Sequence, residues 1–176
     1  MSVSGPTLID IERRFLIDPL RILSLVAGTV VAGCASSGSV CGASEAVVTR
    51  IVDGDTIELE GGTKIRYLML NTPETTNGKN ECFGQNAVTF NTDLVLGKTV
   101  SLAYDVECQD RFDRTLAYVF VDGEEVNRLL VERGFACVLH IPPNGDARVD
   151  EFKALETAAK AAGRGLWGAC DPIPCK

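Results

Sequence analysis

The sequence predicts an α+β fold that is mainly β: a five-stranded barrel with three helices packed on it. Two stretches of alternating apolar and polar residues flank Gly61-Gly62, so this part of the chain reads as a β-hairpin. Three further strand patterns accompany it, and the one helical stripe inside the strand run falls between the third and fourth strands. The chain has 176 residues, 45% of them apolar, which suits one globular domain with a sizeable core.

Residues 47–52 form the first strand. Residues 56–60 alternate Ile57 and Leu59 with Glu58 and Glu60, and residues 64–70 return as the third strand. A polar loop over residues 75–81 contains the Asn77-Gly78 turn signal. From Phe83 to Leu96 the spacing is helical, with Phe83, Ala87, Phe90, Leu94 and Val95 on one stripe and Gly97 as the cap. Residues 98–104 alternate as a strand with Val100 and Leu102 on one face. A charged loop follows over residues 105–113, then the fifth strand over residues 115–121 and a turn at Asp122-Gly123. Residues 125–133 are a helix presenting Val126, Leu129 and Leu130 and stopped by Gly134. Pro142-Pro143-Asn144-Gly145 is an irregular connection. Residues 149–162 are the last helix, with Phe152, Leu155, Ala158 and Ala159 inward and Gly163 and Gly165 at its end. This order matches an OB-fold barrel, with the two later helices on its side. The sequence shows no internal repeat and no second domain. Tyr67, Tyr104 and Tyr118 read as packed residues, because a base-stacking surface requires exposed rings.

The chain begins differently. Residues 22–33 are uncharged and follow Arg13, Arg14 and Arg21. The run is shorter than the ~20 apolar residues a membrane-spanning helix needs. It reads as a secretory signal over residues 1–33. Val31-Ala32-Gly33-Cys34 resembles the lipobox of bacterial lipoproteins, which implies lipidation at Cys34 and an exported protein anchored in the cell envelope. An ordinary secretory signal with a nearby free cysteine is the alternative, and the long polar lead before Arg21 departs from the lipoprotein pattern. Residues 34–45 then read as a tether, the domain as residues 46–170 and the tail as residues 171–176.

Setting Cys34 aside leaves Cys41, Cys82, Cys108, Cys137, Cys170 and Cys175. An even number in an exported chain predicts disulfides. There is no C-x-x-C pair and His140 is the only histidine, so a zinc site is a poor alternative. The chain is acidic, with 17 Lys+Arg against 24 Asp+Glu. Cleavage before Cys34 removes three of each (Arg13, Arg14, Arg21; Asp10, Glu12, Asp18), so the net charge stays at −7. That counts against a sequence-independent nucleic-acid binder, which normally presents a basic face. A catalytic cleft tolerates it, since local arginines and a divalent cation can hold one phosphate.

The chemistry gathers at the hairpin. In a hairpin the start of the first strand lies beside the end of the second, which brings Asp55 next to Asn71, Thr72 and Glu74, with Arg66 between them in sequence. Hard cations take oxygen ligands of this kind. A carboxylate and arginines around such a metal can attack a phosphodiester. Each residue has a plainer reading: Asp55 and Asn71 as turn residues, Glu74 as a loop carboxylate, Arg66 and Arg114 in structural ion pairs.

Asp53-Gly54-Asp55-Thr56, Arg66 and Asn71-Thr72-Pro73-Glu74 resemble the signature of the thermonuclease (staphylococcal nuclease-like) family. So do the block Asp110–Val119, which contains Arg114, and the ending Gly163-Arg164-Gly165-Leu166-Trp167-Gly168. The resemblance covers roughly residues 46–169. It implies an OB-fold nuclease acting on DNA or RNA with calcium as cofactor, low sequence specificity and products with a 3′-phosphate. Asp55, Asn71 and the Thr72 carbonyl would ligate the metal, Glu74 would be the general base, and Arg66 and Arg114 would grip the scissile phosphate. The family pattern has aspartate at the position of Asn71, which implies weaker calcium binding here. It has tyrosines where this chain carries Phe112, His140 and Pro142, so Phe112 and His140 become the substrate-holding candidates, His140 having a structural reading as well. The register also implies the pairs Cys82–Cys108 and Cys137–Cys170, leaving Cys41–Cys175. No protein partner is implied. Two rivals remain at this stage: a catalytically weak or inactive OB-fold nucleic-acid-binding module, which does not need Glu74, and a disulfide-stapled lipoprotein scaffold, which does not explain the site.

Overall fold

The computed structural model describes residues 40–175. The signal over residues 1–33, the lipidation at Cys34 and the tether up to residue 39 lie outside the described residues. The elements in chain order are β1 (Glu45–Asp53), β2 (Thr56–Leu59), β3 (Lys64–Tyr67), β4 (Leu70–Asn71), α1 (Gly84–Val95), β5 (Thr99–Ala103), β6 (Thr115–Val121), β7 (Glu124–Glu125), α2 (Val126–Glu132), β8 (Cys137–Val138), α3 (Val149–Ala161) and the single turn α4 (Leu166–Ala169).

β1, β2 and β3 form an antiparallel meander, and β5 pairs with the start of β1. β6 runs antiparallel to β5 and parallel to β3, with Ile65 opposite Thr115 and Arg66 opposite Leu116. That last pairing closes the barrel in the order β1-β2-β3-β6-β5, the expected OB-fold arrangement. Val48, Ile57, Ile65, Val100 and Val119 fill it and are fully buried. Each such side chain is worth ~1.5–3 kcal/mol relative to exposure.

The third strand differs from its prediction. It was expected to run through Leu70, but it breaks after Tyr67, because the Leu68 amide bonds to the Ala117 carbonyl and Met69 adopts a left-handed φ of 69°. The chain then pairs as β4 with β8, Leu70 opposite Val138 and Asn71 opposite Cys137. Buried Asn127 on α2 fixes this break. It accepts from the Val119 amide at 2.9 Å and donates to the Leu68 and Ala117 carbonyls at 3.0 and 3.3 Å. On α1, Asn91 accepts from the Tyr67 hydroxyl at 3.0 Å, so the helix is tied to the same strand. Tyr67 and Tyr118 are buried and Tyr104 is half-buried, as packed residues. Ala158, expected inward on α3, is exposed; Phe152 and Ala159 make its buried face.

All six described cysteines are in disulfides, with pairings other than those expected: Cys41–Cys108, Cys82–Cys170 and Cys137–Cys175. The chain ends decide this. Residues 43–44 run along β5, with the Tyr104 hydroxyl on the Ala43 carbonyl and the Leu102 amide on the Ser44 carbonyl, which leads Cys41 to the loop after β5. At the other end, Leu166, Trp167 and Ile173 form a small second core with Phe83, carrying Cys170 to Cys82 and Cys175 to Cys137. Among the described residues no helix is long and apolar enough to cross a membrane.

Candidate active site

The site begins where β1 passes into β2. Asp53 and Asp55 flank Gly54, and a Cβ on Gly54 would lie 2.7 Å from Thr72 Oγ1 and 2.9 Å from the Ala87 methyl. Only glycine lets the strand pass this close to residues 72–73. Asp55 is 5% exposed. Its Oδ1 accepts from the Thr56 hydroxyl at 3.0 Å, and its Oδ2 accepts from the Thr72 amide at 3.0 Å. The same Oδ2 lies 3.2 Å from Arg66 Nη2. Arg66 Nη2 also donates to Asn71 Oδ1 at 3.1 Å, and Nη1 donates to the Tyr67 carbonyl at 2.6 Å. One cationic nitrogen therefore sits between the Asp55 and Asn71 oxygens.

Beside this group is a second carboxylate pair. Asp53, also buried, accepts from the Gly54 amide and the Thr75 hydroxyl, both at 2.8 Å. Glu74 accepts from the Thr76 amide at 3.0 Å and from the Thr76 hydroxyl. The two carboxyls share a hydrogen bond. Burial pushes Asp53 up to about 6, with that hydrogen bond adding to it. The proton donated by Asp53, helped by Thr76, pulls Glu74 down to about 2. Glu74 is thus the more acidic of the pair, and Asp53 carries the shared proton below about pH 6. The Glu74 backbone is held by one residue: its amide donates to Glu81 Oε2 at 2.9 Å, and its carbonyl accepts from the Glu81 amide at 3.0 Å.

The other predicted residues are placed as follows. Arg114 stands just before β6, and its guanidinium is engaged by Asp110, with Nε 2.8 Å and Nη2 2.6 Å from Oδ2. Asp110 also accepts from the Phe112 and Arg114 amides, so it organises the loop that presents Arg114. Phe112 is 62% exposed, with the guanidiniums of Arg111 and Arg114 at 4.8 and 5.4 Å from its ring centre. His140 Nε2 lies 2.8 Å from Asp146 Oδ1, a hydrogen-bond partner that favours the structural reading of this histidine. The structure therefore brings Asp55, Arg66, Asn71 and Thr72 into one bonded cluster with Glu74 alongside, and leaves Arg114 paired within its own loop.

The oxygens present suit a hard divalent cation. Among the described residues no three His, Cys, Asp or Glu side chains gather to hold a metal; the side-chain oxygens that could face one are the Asp55 carboxylate and the Asn71 amide oxygen. Both oxygens lie on one cationic nitrogen, Arg66 Nη2. Sequence reasoning missed Asp53, Thr76, Glu81 and Asp110. Asp53 was within reach as the first aspartate of Asp53-Gly54-Asp55; the others are set by loop conformation, which leaves no periodic signal.

The family model for staphylococcal nuclease homologues matches residues 64–169. The chain is 34% identical over 130 residues to the SPbeta prophage-derived endonuclease YokF of Bacillus subtilis, an alignment covering 70% of this chain and 44% of that protein. It is 35% identical over 125 residues to the endonuclease YncB of the same organism, covering 67% and 59%. With the thermonuclease of Staphylococcus intermedius it shares 35% identity over 119 residues, covering 65% of this chain and 71% of that enzyme. The chain thus spans about half the length of these two Bacillus relatives.

Proposed function

The chain belongs to the family of staphylococcal nuclease homologues, and on that premise we propose that it is a calcium-dependent nuclease cleaving DNA or RNA with low sequence specificity. The observation that carries this reading is the Glu74 carboxylate, held by Thr76 and Glu81, beside the Asp55–Arg66–Asn71 cluster. Glu74 takes the proton of a water that attacks phosphorus. The bond to the 5′-oxygen breaks and that oxygen takes a proton from solvent, leaving a 3′-phosphate and a 5′-hydroxyl. A base for this step must be held in place beside the water, and the Thr76 amide and hydroxyl hold the Glu74 carboxylate. Arg66 and Arg114 neutralise charge developing on the phosphoryl oxygens, for which a planar, permanently charged fork is suited. Each leaves a carboxylate to do so, Arg66 from Asp55 and Arg114 from Asp110. Asp55, Asn71 and the Thr72 carbonyl would hold the calcium ion, which when bound supplies Lewis-acid polarisation of the phosphodiester. Nothing at the site reads base edges, which is the basis for low specificity.

The three disulfides support export to an oxidising compartment, and with the sequence pattern at Cys34 we place the protein in the bacterial cell envelope on a lipid anchor. The second reading, a nucleic-acid-binding module, is favoured by Asn71, which supplies no charge, and by Arg66, which fills the space between the ligand oxygens.

The test is cleavage of single-stranded DNA by the oxidised full chain with calcium, magnesium or chelator, with Glu74→Gln alongside. Cleavage that requires calcium and is lost in the variant is expected. A folded, disulfide-intact protein that cuts nothing would leave the binding module.

A further inference from the structure

The residues proposed to do chemistry on one side of the site lie on a short arm, Asn71 to Glu74. Two of the three disulfides reach this arm, one from each side, and both come from the same piece of chain. On one side Cys137 is the direct β-partner of Asn71, and its disulfide goes to Cys175. On the other, Glu81 holds the Glu74 backbone through two hydrogen bonds, and the next residue, Cys82, is bonded to Cys170 with a Cα separation of 5.9 Å. The packing there is close: a Cβ on Gly84 would lie 2.6 Å from the Thr75 methyl and 2.9 Å from the Pro73 carbonyl oxygen. The second small core, with Leu166 buried and Phe83, Trp167 and Ile173 packed on it, is the platform from which both disulfides start. It meets the main core through Phe83 against Phe135, with ring centres 5.4 Å apart, and through the Leu166 amide on the Gly134 carbonyl.

We propose that the C-terminal segment from Leu166 to Cys175 is a covalent brace that positions Glu74, through Cys82–Cys170 and Glu81, and Asn71, through Cys137–Cys175. The proposal rests on the nuclease reading for its consequence in catalysis, but the brace itself is a statement about order in residues 70–83. Cys82 and Cys170 touch no reacting atom; they act through Glu81. Loosening them leaves phosphate contacts in place while the base wanders, so the loss falls on kcat. A misplacement of about 1 Å costs up to ~100-fold in rate.

The experiment compares the oxidised full chain with Cys82→Ala/Cys170→Ala and with Val131→Ala, a fully buried α2 residue whose truncation destabilises the main core without touching the brace. In the brace variant kcat on single-stranded DNA should fall about tenfold or more, with KM held within about threefold. Hydrogen exchange of amides in residues 70–83 should quicken about tenfold while β1–β3 keep their protection. Val131→Ala should leave kcat and the exchange of residues 70–83 unchanged. In Cys137→Ala/Cys175→Ala the calcium concentration for half-maximal cleavage should rise. The proposal is overturned if the brace variant keeps its kcat and its slow exchange at residues 70–83. It is equally overturned if exchange quickens uniformly over the barrel, the mark of a crosslink that merely holds the fold. Should the wild-type chain prove inactive, the nuclease reading fails, while the exchange comparison still decides the brace.

Discussion

Arg66→Met tests whether the guanidinium is the resident cation of the metal site. Arg66 lies 3.2 Å from Asp55 and 3.1 Å from Asn71. Methionine keeps part of the stem and removes the charge, leaving Asp55, 5% exposed, with only the Thr56 hydroxyl and the Thr72 amide. Removing one partner of a buried pair costs about 3–5 kcal/mol, and the two surviving donors bring this to about 2–4 kcal/mol. Calcium should behave in the opposite way. In the wild type an incoming cation displaces Nη2 and breaks charge-assisted hydrogen bonds worth about 1.5–3 kcal/mol. The variant has no such competitor, so its calcium affinity should rise by about ten- to a hundredfold. Urea unfolding in chelator and in saturating calcium, with calorimetric calcium titration, reads both effects. A variant as stable as the wild type in chelator, with the same calcium affinity, would refute the reasoning. DNA cleavage should fall in either case, because the phosphate loses Arg66.

Glu74→Gln should lower kcat by about 10²–10⁴-fold with an unchanged melting temperature, since the amide oxygen still accepts from Thr76; steady-state kinetics and a thermal melt check this. Gly54→Ala forces a methyl against Thr72 and Ala87 and should cost about 1–3 kcal/mol, measured by urea unfolding, with weaker calcium binding because the Thr72 carbonyl shifts. Asp110 gives a pH dependence. Its partial burial raises the carboxyl, but hydrogen bonds from Arg114 and the Phe112 amide outweigh this and hold it below the usual aspartate range. A folded value below the unfolded one means that ionised Asp110 contributes stability in full above the unfolded aspartate value of about 3.9, and that this is lost as pH falls through the lower folded value. Exchange in residues 105–114 should therefore quicken in acid below about pH 4, and Asp110→Asn should remove that step and loosen the loop at neutral pH.

What was legible in the sequence was local. The alternation in residues 56–60 and around Gly61-Gly62 fixes a hairpin, whose register sets Thr56 opposite Arg66 and the Asp55 carbonyl on the Tyr67 amide; Asp55 meets Thr72 only through its side chain, after the strand has broken at Tyr67. The break after Tyr67 was hidden because Leu68, Met69 and Leu70 are all apolar and all buried, so the pattern runs on while the backbone turns. Arg114 stands just before the fifth strand, between the expected loop and Thr115, but its Asp110 partner lies in an aperiodic loop. The proton between Asp53 and Glu74 depends on the burial of one carboxyl and the partial exposure of the other, which no spacing encodes.

The disulfide pairing was beyond reach for a different reason. Closing a loop of tens of residues stabilises by about 4–5 kcal/mol in the chain-entropy account, and that gain depends only on the logarithm of loop length. The observed bonds span 67, 88 and 38 residues, and other pairings of the same six cysteines would stabilise nearly as well. Stability therefore does not select a connectivity; the path of the two chain ends does. Each observed bond joins an end of the domain to a segment bordering the site: Cys41 to the loop before Arg114, Cys170 to the loop after Glu74, Cys175 to the strand beside Asn71. A pairing chosen only to hold the barrel would have no reason to converge there, because the barrel is already closed by β3 and β6. What the three bonds add is fixity in the segments around the barrel's rim, and those segments lie next to Arg114, Glu74 and Asn71, the residues of the proposed site.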